Sequence, residues 1–351
     1  MSDRMKAPAG FDKLSTGYWH KKQAVVVNKQ ISAHLKAGEM TCLLGANGSG
    51  KSTLVKTLCG FLPPLLGEIK LNGLPLARLS VRERAAMVSI VLTDKIESAN
   101  LTVEELTTLG RSPHTGFLGR LKAADHGIVQ QAMLSAGIAH KRHQSLAQLS
   151  DGERQKALIA KALAQDTPLI VLDEPTAFLD MPARVEIMHL LRQLCSQQQK
   201  SILITTHDLD LALQMADRLW LLHSKGPLIS GTPEDLLLQG ALQELFHRHG
   251  ITFDQKTGLF RIAHEYLHHI EVKGHGFGYV LLRRALARHG ISPHSQDNDS
   301  GICIVVSGQD NPLFELYWDG SLLLQSAQME PLMTQVMDLI KKTAHLKTHA
   351  Q

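Results

Sequence analysis

The stretch Gly45-Ala46-Asn47-Gly48-Ser49-Gly50-Lys51-Ser52-Thr53 decides how this chain is read. It fits G-x-x-x-x-G-K-[ST], a pattern whose glycines let successive backbone N–H groups turn inward around phosphate oxygens. Ahead of it, Met40-Thr41-Cys42-Leu43-Leu44 is a short apolar run with the character of a buried strand. Behind it, Leu54, Val55 and Leu58 recur at helical spacing, and Gly60 stands where a helix closes on a C′ glycine. The first N–H groups of that helix and its dipole would add to the cradle. In such a loop the lysine, Lys51, reaches the β- and γ-phosphates and the Ser52 hydroxyl ligates Mg²⁺. A glycine-rich turn with an incidental lysine is the bland alternative, and it predicts neither the strand nor the helix.

A second element belongs at the other end of such a site. Leu169-Ile170-Val171-Leu172-Asp173-Glu174 places two carboxylates where a buried strand ends, and ligands of open α/β sheets bind outside the carboxyl ends of the strands. Asp173 would hold the Mg²⁺ through water. Glu174 would polarise the attacking water, since phosphoryl transfer needs orientation and charge stabilisation more than covalent help. A third apolar run, 201–206, ends in His207-Asp208. A lone histidine is usually structural, but His207 emerges beside the other strand ends, placed to bridge a γ-phosphate and Glu174.

The rest of the chain sets the frame. Its 351 residues predict two domains. Lys+Arg 37 against Asp+Glu 33 leaves a formal +4, too mild to imply nucleic acid. Hydrophobic content of 44% with 20% charged residues excludes disordered, collagenous and disulfide-scaffold classes. No apolar run reaches the 18 or more residues of a membrane span, and no secretory leader is read at the start. Cys42, Cys59, Cys195 and Cys303 lie far apart with no Cys-x-x-Cys pair, and read as reduced, mostly buried thiols.

Residues 24–38 read as strands joined by turns, 67–92 as short strands with a hairpin at Asn72-Gly73, and 102–164 as mostly helical with a break at 110–119. Buried strands alternating with helices predict a mostly parallel α/β sheet. Thr232-Pro233-Glu234-Asp235 reads as an N-cap, a proline at N1 and first-turn acids, opening a helix that finishes the first domain near Gly250. Beyond it, strands at 270–273, 302–306 and 313–318 and helices at 279–289 and 329–342 predict a small α+β domain, 251–351.

Together these segments resemble the nucleotide-binding subunits of ABC transporters, over residues 11 to about 240. Leu149-Ser150-Asp151-Gly152-Glu153 resembles the family's signature loop, with Asp151 in place of its first glycine. Read physically, Ser150 and Glu153 form an S-x-x-E capping box that opens a helix and offers its N-terminus to an anion. The resemblance implies that this anion is the γ-phosphate of ATP held by a second copy of the chain, contacted by Ser150, Asp151, Gly152 and Glu153. It also implies that Tyr18, beside Trp19, lies against adenine, and that Ala177-Phe178-Leu179-Asp180 communicates across the sandwich. The family carries a Gln touching Mg²⁺ where this chain has Thr93, followed by Asp94. Threonine is about two bonds shorter, so a bridging water or Asp94 itself stand as alternatives to direct contact. The implied fold is a P-loop NTPase of ABC type: a mostly parallel sheet, an antiparallel β part and a helical subdomain at about 94–165. Domain 1–250 would be this cassette, followed by the α+β tail.

Leu101-Thr102-Val103-Glu104-Glu105-Leu106, with Gly110-Arg111-Ser112-Pro113-His114, is similar to the ATPases of iron-chelate, haem and cobalamin importers. That likeness implies an ATP- and Mg²⁺-dependent homodimer, cytoplasmic and peripheral on the inner membrane face. Its partners would be a polytopic permease and, through it, a substrate-binding protein, with no nucleic acid. The rival reading is a soluble ABC-type ATPase of translation or DNA maintenance. The chain holds one ATPase module, and the roughly hundred residues between phosphate loop and signature leave no room for a long coiled coil. In the tail, His264, His268, His269 and His275 suggest a metal site, with His264 and His268 at helical i, i+4 spacing. An exposed histidine-rich linker is the reading favoured there.

Overall fold

A computed structural model describes residues 7–21, 23–92, 101–116, 119–224, 226–246, 251–254, 259–262, 265–293, 301–308 and 311–349. The chain divides into two units, Met1–Phe246 and His247–Gln351. The sequence expectation put the division at 250, at the end of one long helix. Instead Gly240, with φ +73°, breaks that helix into two short ones.

The first unit contains two sheets. Strands β1 (Ala9–His20), β2 (Gln23–His34), β4 (Leu66–Leu71) and β5 (Leu74–Pro75) form an antiparallel sheet in the order β2-β1-β4-β5. Its closing hairpin turns through Asn72 (φ +47°) and Gly73 (φ +81°), the double left-handed geometry that Asn-Gly favours. The second sheet is six-stranded. Its order is β10 (Leu228–Gly231), β9 (Arg218–Leu222), β3 (Met40–Leu44), β8 (Ser201–Thr205), β7 (Leu169–Asp173) and β6 (Val88–Val91). All its neighbours run parallel except β10, which returns antiparallel at one edge. Every residue of β3 and β8 is buried, which is why those segments read as mostly apolar runs rather than alternations.

Helix α1 (Lys51–Leu58) joins the two sheets. Leu54, Val55 and Leu58 share one cluster with Leu14, Ile31 and Ile69 of the antiparallel sheet and with Leu43, Leu203 and Trp220 of the parallel one. Phe11 meets Trp220 edge-to-face at 5.5 Å. Full burial of each such leucine contributes about 1.5–3 kcal/mol, which seats the helix that follows the glycine loop between the two sheets.

Helix α2 (Val81–Ala85) precedes β6. Between β6 and β7 lies the helical part: α3 (Val103–Leu109), α4 (Ala123–Ser135) and α5 (Asp151–Ala164). Buried Arg111 fastens it. Its guanidinium pairs with Asp125 on α4 at 2.9 Å and donates to the Ala164 carbonyl at the end of α5 at 2.8 Å. Helices α6 (Met181–Gln198), α7 (Leu209–Met215), α8 (Pro233–Leu238) and α9 (Ala241–Phe246) complete the unit. Asp217 accepts from the Met40 amide at 2.8 Å and pairs with Arg192, tying α6 to the start of β3. Burial pushes the thiols of Cys42, Cys59 and Cys195 up to about 12, so they pack as inert apolar groups.

In the second unit, Glu271–Lys273, Ile302–Ser307, Leu313–Trp318 and Ser321–Ser326 form a four-stranded sheet in that order. Helices Gly276–Arg288 and Met329–His349 cover one face, with Leu282 and Leu286 meeting Ile304, Leu316, Leu332 and Leu339. His268 and His269 form a two-residue strand paired with Ile291–Ser292, so His268 does not share a helix face as its spacing suggested; His264 lies outside the described residues. Among the described residues no three His, Cys, Asp or Glu side chains gather as metal ligands. Nor is any described helix long and apolar enough to cross a membrane.

Candidate functional site

Strands β3, β7 and β8 are neighbours and parallel, so their carboxyl ends open on one side of the sheet. That single fact brings together the loop after β3, the acids after β7 and the histidine after β8.

The loop after β3 turns back through Gly48 (φ +77°) and Gly50 (φ +98°) before α1 begins at Lys51. At Gly50 a side chain is impossible on two counts: the left-handed backbone, and a Cβ that would stand 2.5 Å from Val27 Cγ1. Asn47, Gly48 and Ser52 are exposed, Ala46, Gly50 and Thr53 half-buried, and Gly45, Ser49 and Lys51 buried. Lys51 Nζ donates to the Gly45 carbonyl at 2.8 Å and to the Ala46 carbonyl at 3.4 Å. Burial lowers its pKa, against which the carboxylates of Glu174 and Asp173 raise it. The loop cation and both strand-end acids therefore share one electrostatic neighbourhood.

Glu174 follows β7 in a left-handed conformation, φ +48°. Its carboxylate lies 2.7 Å from His207 Nε2. Between the two strand ends stands Thr205, fully buried. Its hydroxyl donates to Asp173 Oδ1 at 2.5 Å and accepts from the Glu174 amide at 2.9 Å; that amide also reaches the Thr205 carbonyl at 3.1 Å. One side chain thus holds the Asp173 carboxylate and the Glu174 backbone. Sequence reasoning passed over Thr205, although a signal was present: a hydroxyl closing an otherwise apolar buried run, two residues before His207.

The signature-like loop is assembled elsewhere, on the helical part. Ser150 caps α5, with its hydroxyl accepting from the Glu153 amide at 3.3 Å and Glu153 accepting in return from the Ser150 amide at 3.0 Å. That backbone bond from Ser150 holds the Glu153 carboxyl below its ordinary range, helped by Lys141 at 3.4 Å. Asp151 is exposed and pairs with Arg154. Gly152 packs against α6, where an added Cβ would meet the Ala183 methyl at 3.3 Å. Asp180 caps α6 by accepting from the Ala183 amide at 3.0 Å, and Phe178 beside it is 81% exposed at φ +64°. Arg184 donates to the Leu179 carbonyl at 2.7 Å and pairs with Asp208 at 3.6 Å, linking this loop to the segment that carries His207.

Tyr18 and Trp19 are both exposed near the end of β1, where alternation directs them to opposite faces. Thr93 and Asp94 lie outside the described residues.

Residues 28–177 match the family described as ABC transporter. The achromobactin transport ATP-binding protein of Dickeya dadantii is 35% identical over 67% of this chain and 86% of its own length. The iron(3+)-hydroxamate import ATP-binding protein of Bacillus subtilis is 33% identical over 67% of this chain and 86% of its own. Among solved structures, cbiO1 of Clostridium perfringens, part of the ABC transporter complex cbiONQ, superposes with a TM-score of 0.59. It is 26% identical over 70% of this chain and 96% of its own. With the phosphate loop on β3, the paired acids on β7 and relatives that share most of their length with it, this chain belongs to the ABC transporter family, and its first unit is an ATP-binding, ATP-hydrolysing cassette of that family.

Proposed function

We propose that this chain energises a membrane importer of metal chelates, of the iron-siderophore, haem or cobalamin class, working as a pair of copies beneath a polytopic permease fed by a substrate-binding protein. The observation that carries the ATPase half of this reading is the convergence of Lys51, Asp173, Glu174 and His207 at three adjacent strand ends. The import half rests on the relatives whose names specify siderophore transport and iron(3+)-hydroxamate import.

The backbone N–H groups of 45–50 and the N-terminus of α1 would bind the phosphates, with Lys51 as point charge. The Ser52 hydroxyl and the Asp173 carboxylate are hard oxygen donors at the mouth of the loop, and they suit Mg²⁺, which keeps several waters and phosphate oxygens rather than a protein cage. When bound, Mg²⁺ would neutralise charge on the β- and γ-oxygens. Thr205 fixes the direction of Asp173. Glu174, whose backbone amide is held by the same hydroxyl, orients the attacking water and accepts its proton, while His207, with Nε2 2.7 Å from that carboxylate, would bridge it and the γ-phosphate. Ser150 and Gly152 of a second copy would close the site over the nucleotide, with Tyr18 against adenine. Opening and closing of the pair would drive the permease, placing the chain on the cytoplasmic membrane face.

The test replaces the native gene with Glu174→Gln and follows uptake of radiolabelled ferric chelates, haem and cobalamin. Loss of uptake of one of these, with a polytopic membrane protein co-purifying in a 2:2 complex, is the expected result. Undiminished uptake of all three, with recovery of the chain on ribosomes or DNA-bound proteins, would refute the transport reading.

A further inference from the structure

Strand β2 passes beneath the phosphate loop, and the residue it places there is polar. Asn28 is only 2% exposed, and neither its amide nitrogen nor its amide oxygen has a hydrogen-bond partner among the described residues. The side chain lies against Gly50: a Cβ built there would stand 2.7 Å from Asn28 Nδ2 and closer still to Oδ1. Two neighbours share the condition. Thr16 is paired with Asn28 across the β1–β2 ladder, is fully buried, and leaves its hydroxyl without a partner among the described residues. Ser49, the loop residue before Gly50, is 1% exposed with its hydroxyl equally unpaired among those residues.

A buried amide carries two donors and two acceptor sites, and leaving them unmade is costly. An apolar residue of similar volume would fill this place without that cost. A polar group retained at such a cost, and lying against a loop residue whose left-handed backbone and close neighbours leave no room for a side chain, marks a position where a hydrogen bond would form in another state of the loop. Anion binding is the event that moves it, because the loop's N–H groups turn toward phosphate and its peptide planes rotate with them.

We propose that Asn28 is a positioning residue for nucleotide: its amide hydrogen-bonds peptide groups of the loop around Gly50 when phosphate is bound, so that binding satisfies a donor–acceptor pair the free protein leaves unmade. Thr16 and Ser49 belong to the same bed. The inference rests on the ATP-binding reading of the loop and goes one layer beneath it.

The experiment measures the affinity of the full chain for MgATP and for a non-hydrolysable analogue, together with thermal midpoints with and without nucleotide. It compares the wild type with Asn28→Leu and Asn28→Asp. Asn28→Leu removes the unsatisfied amide, so the free protein melts no lower than wild type, while its nucleotide Kd rises about three- to tenfold with kcat little changed. Its nucleotide-induced rise in midpoint shrinks accordingly. Asn28→Asp keeps the shape and sets a carboxylate under the phosphates, so it weakens binding further than the leucine. Wild-type affinity in both variants would overturn the inference. Should the leucine variant not fold, the isosteric aspartate decides alone. A wild-type protein that binds no MgATP would instead overturn the reading of the loop itself, so the two failures are distinct.

Discussion

Replacing Thr205 by valine keeps the shape of a fully buried side chain and deletes one hydroxyl. Two bonds depend on it: the 2.5 Å donation to Asp173 Oδ1 and the 2.9 Å acceptance from the Glu174 amide. The second is cushioned, because that amide also reaches the Thr205 carbonyl at 3.1 Å. The first is a hydrogen bond to a charged group, worth about 1.5–3 kcal/mol, and partial access of water to Asp173 places the loss near the lower end. A loss of about 2 kcal/mol lowers the melting midpoint of a unit this size by about 4–8 °C. If the same energy is lost from the alignment of Asp173 and Glu174 in the transition state, kcat falls about thirtyfold. The assay is phosphate release from MgATP by the purified chain, with thermal melting in parallel. Thr205→Ser, which keeps the hydroxyl, should lie within about threefold of wild type. Wild-type turnover in the valine variant would refute the positioning role. Equal impairment of valine and serine variants would show that the γ-methyl, not the hydroxyl, matters.

Glu174→Gln should keep ATP binding, accumulate as a closed dimer in gel filtration, and hydrolyse about 10²–10⁴-fold more slowly; normal turnover would mean the water is activated elsewhere. The Asp125 carboxyl is held below its usual range first by the Lys122 amide, against burial, with Arg111 assisting. A depressed carboxyl stabilises the fold above the ordinary pKa near 4, and that stabilisation disappears as pH falls through the depressed value. Circular dichroism from pH 7 downward should therefore show acid loosening that Asp125→Asn makes shallower while lowering stability at pH 7; an unchanged pH profile would discount the pair. Phe11→Ala removes the ring that meets Trp220 between the sheets and should cost about 3–5 kcal/mol in urea unfolding; a loss under about 1 kcal/mol would show that the two sheets are held by other contacts.

Much of the fold was legible because its central strands are buried on both faces. The 40–44, 169–173 and 201–205 runs carry no alternation to misread, and each ends in the residues that matter. The Asn72-Gly73 hairpin was legible from turn chemistry. Strand β1 was not: its twelve residues mix Asp12, Lys13 and Ser15 with Phe11 and Leu14, and register shifts around Lys13, at φ +46°, break the period-two pattern. In the tail, Ser321–Ser326 escaped notice because Leu322, Leu323 and Leu324 run consecutively instead of alternating. Site residues identified by charge or by the glycine pattern could be named from sequence. Asn28 could not, because what distinguishes it is burial against the Gly50 backbone, which composition does not encode, and Thr205 carried only the slight signal of a hydroxyl at the end of a buried run.

The electrostatics of Lys51 carry a consequence for how nucleotide affinity is set. Its ammonium is disfavoured by burial and sustained by Glu174 and Asp173. In the terms of ion exchange, the two carboxylates are its resident counter-ions, and an arriving triphosphate competes with them for one cation. The affinity measured is thus a difference between two electrostatic attractions, smaller than that of phosphate for lysine alone. Neutralising Glu174 withdraws one competitor. The glutamine variant should then hold even a non-hydrolysable triphosphate more tightly than wild type, as a ground-state property of the single subunit that needs neither slowed chemistry nor a partner.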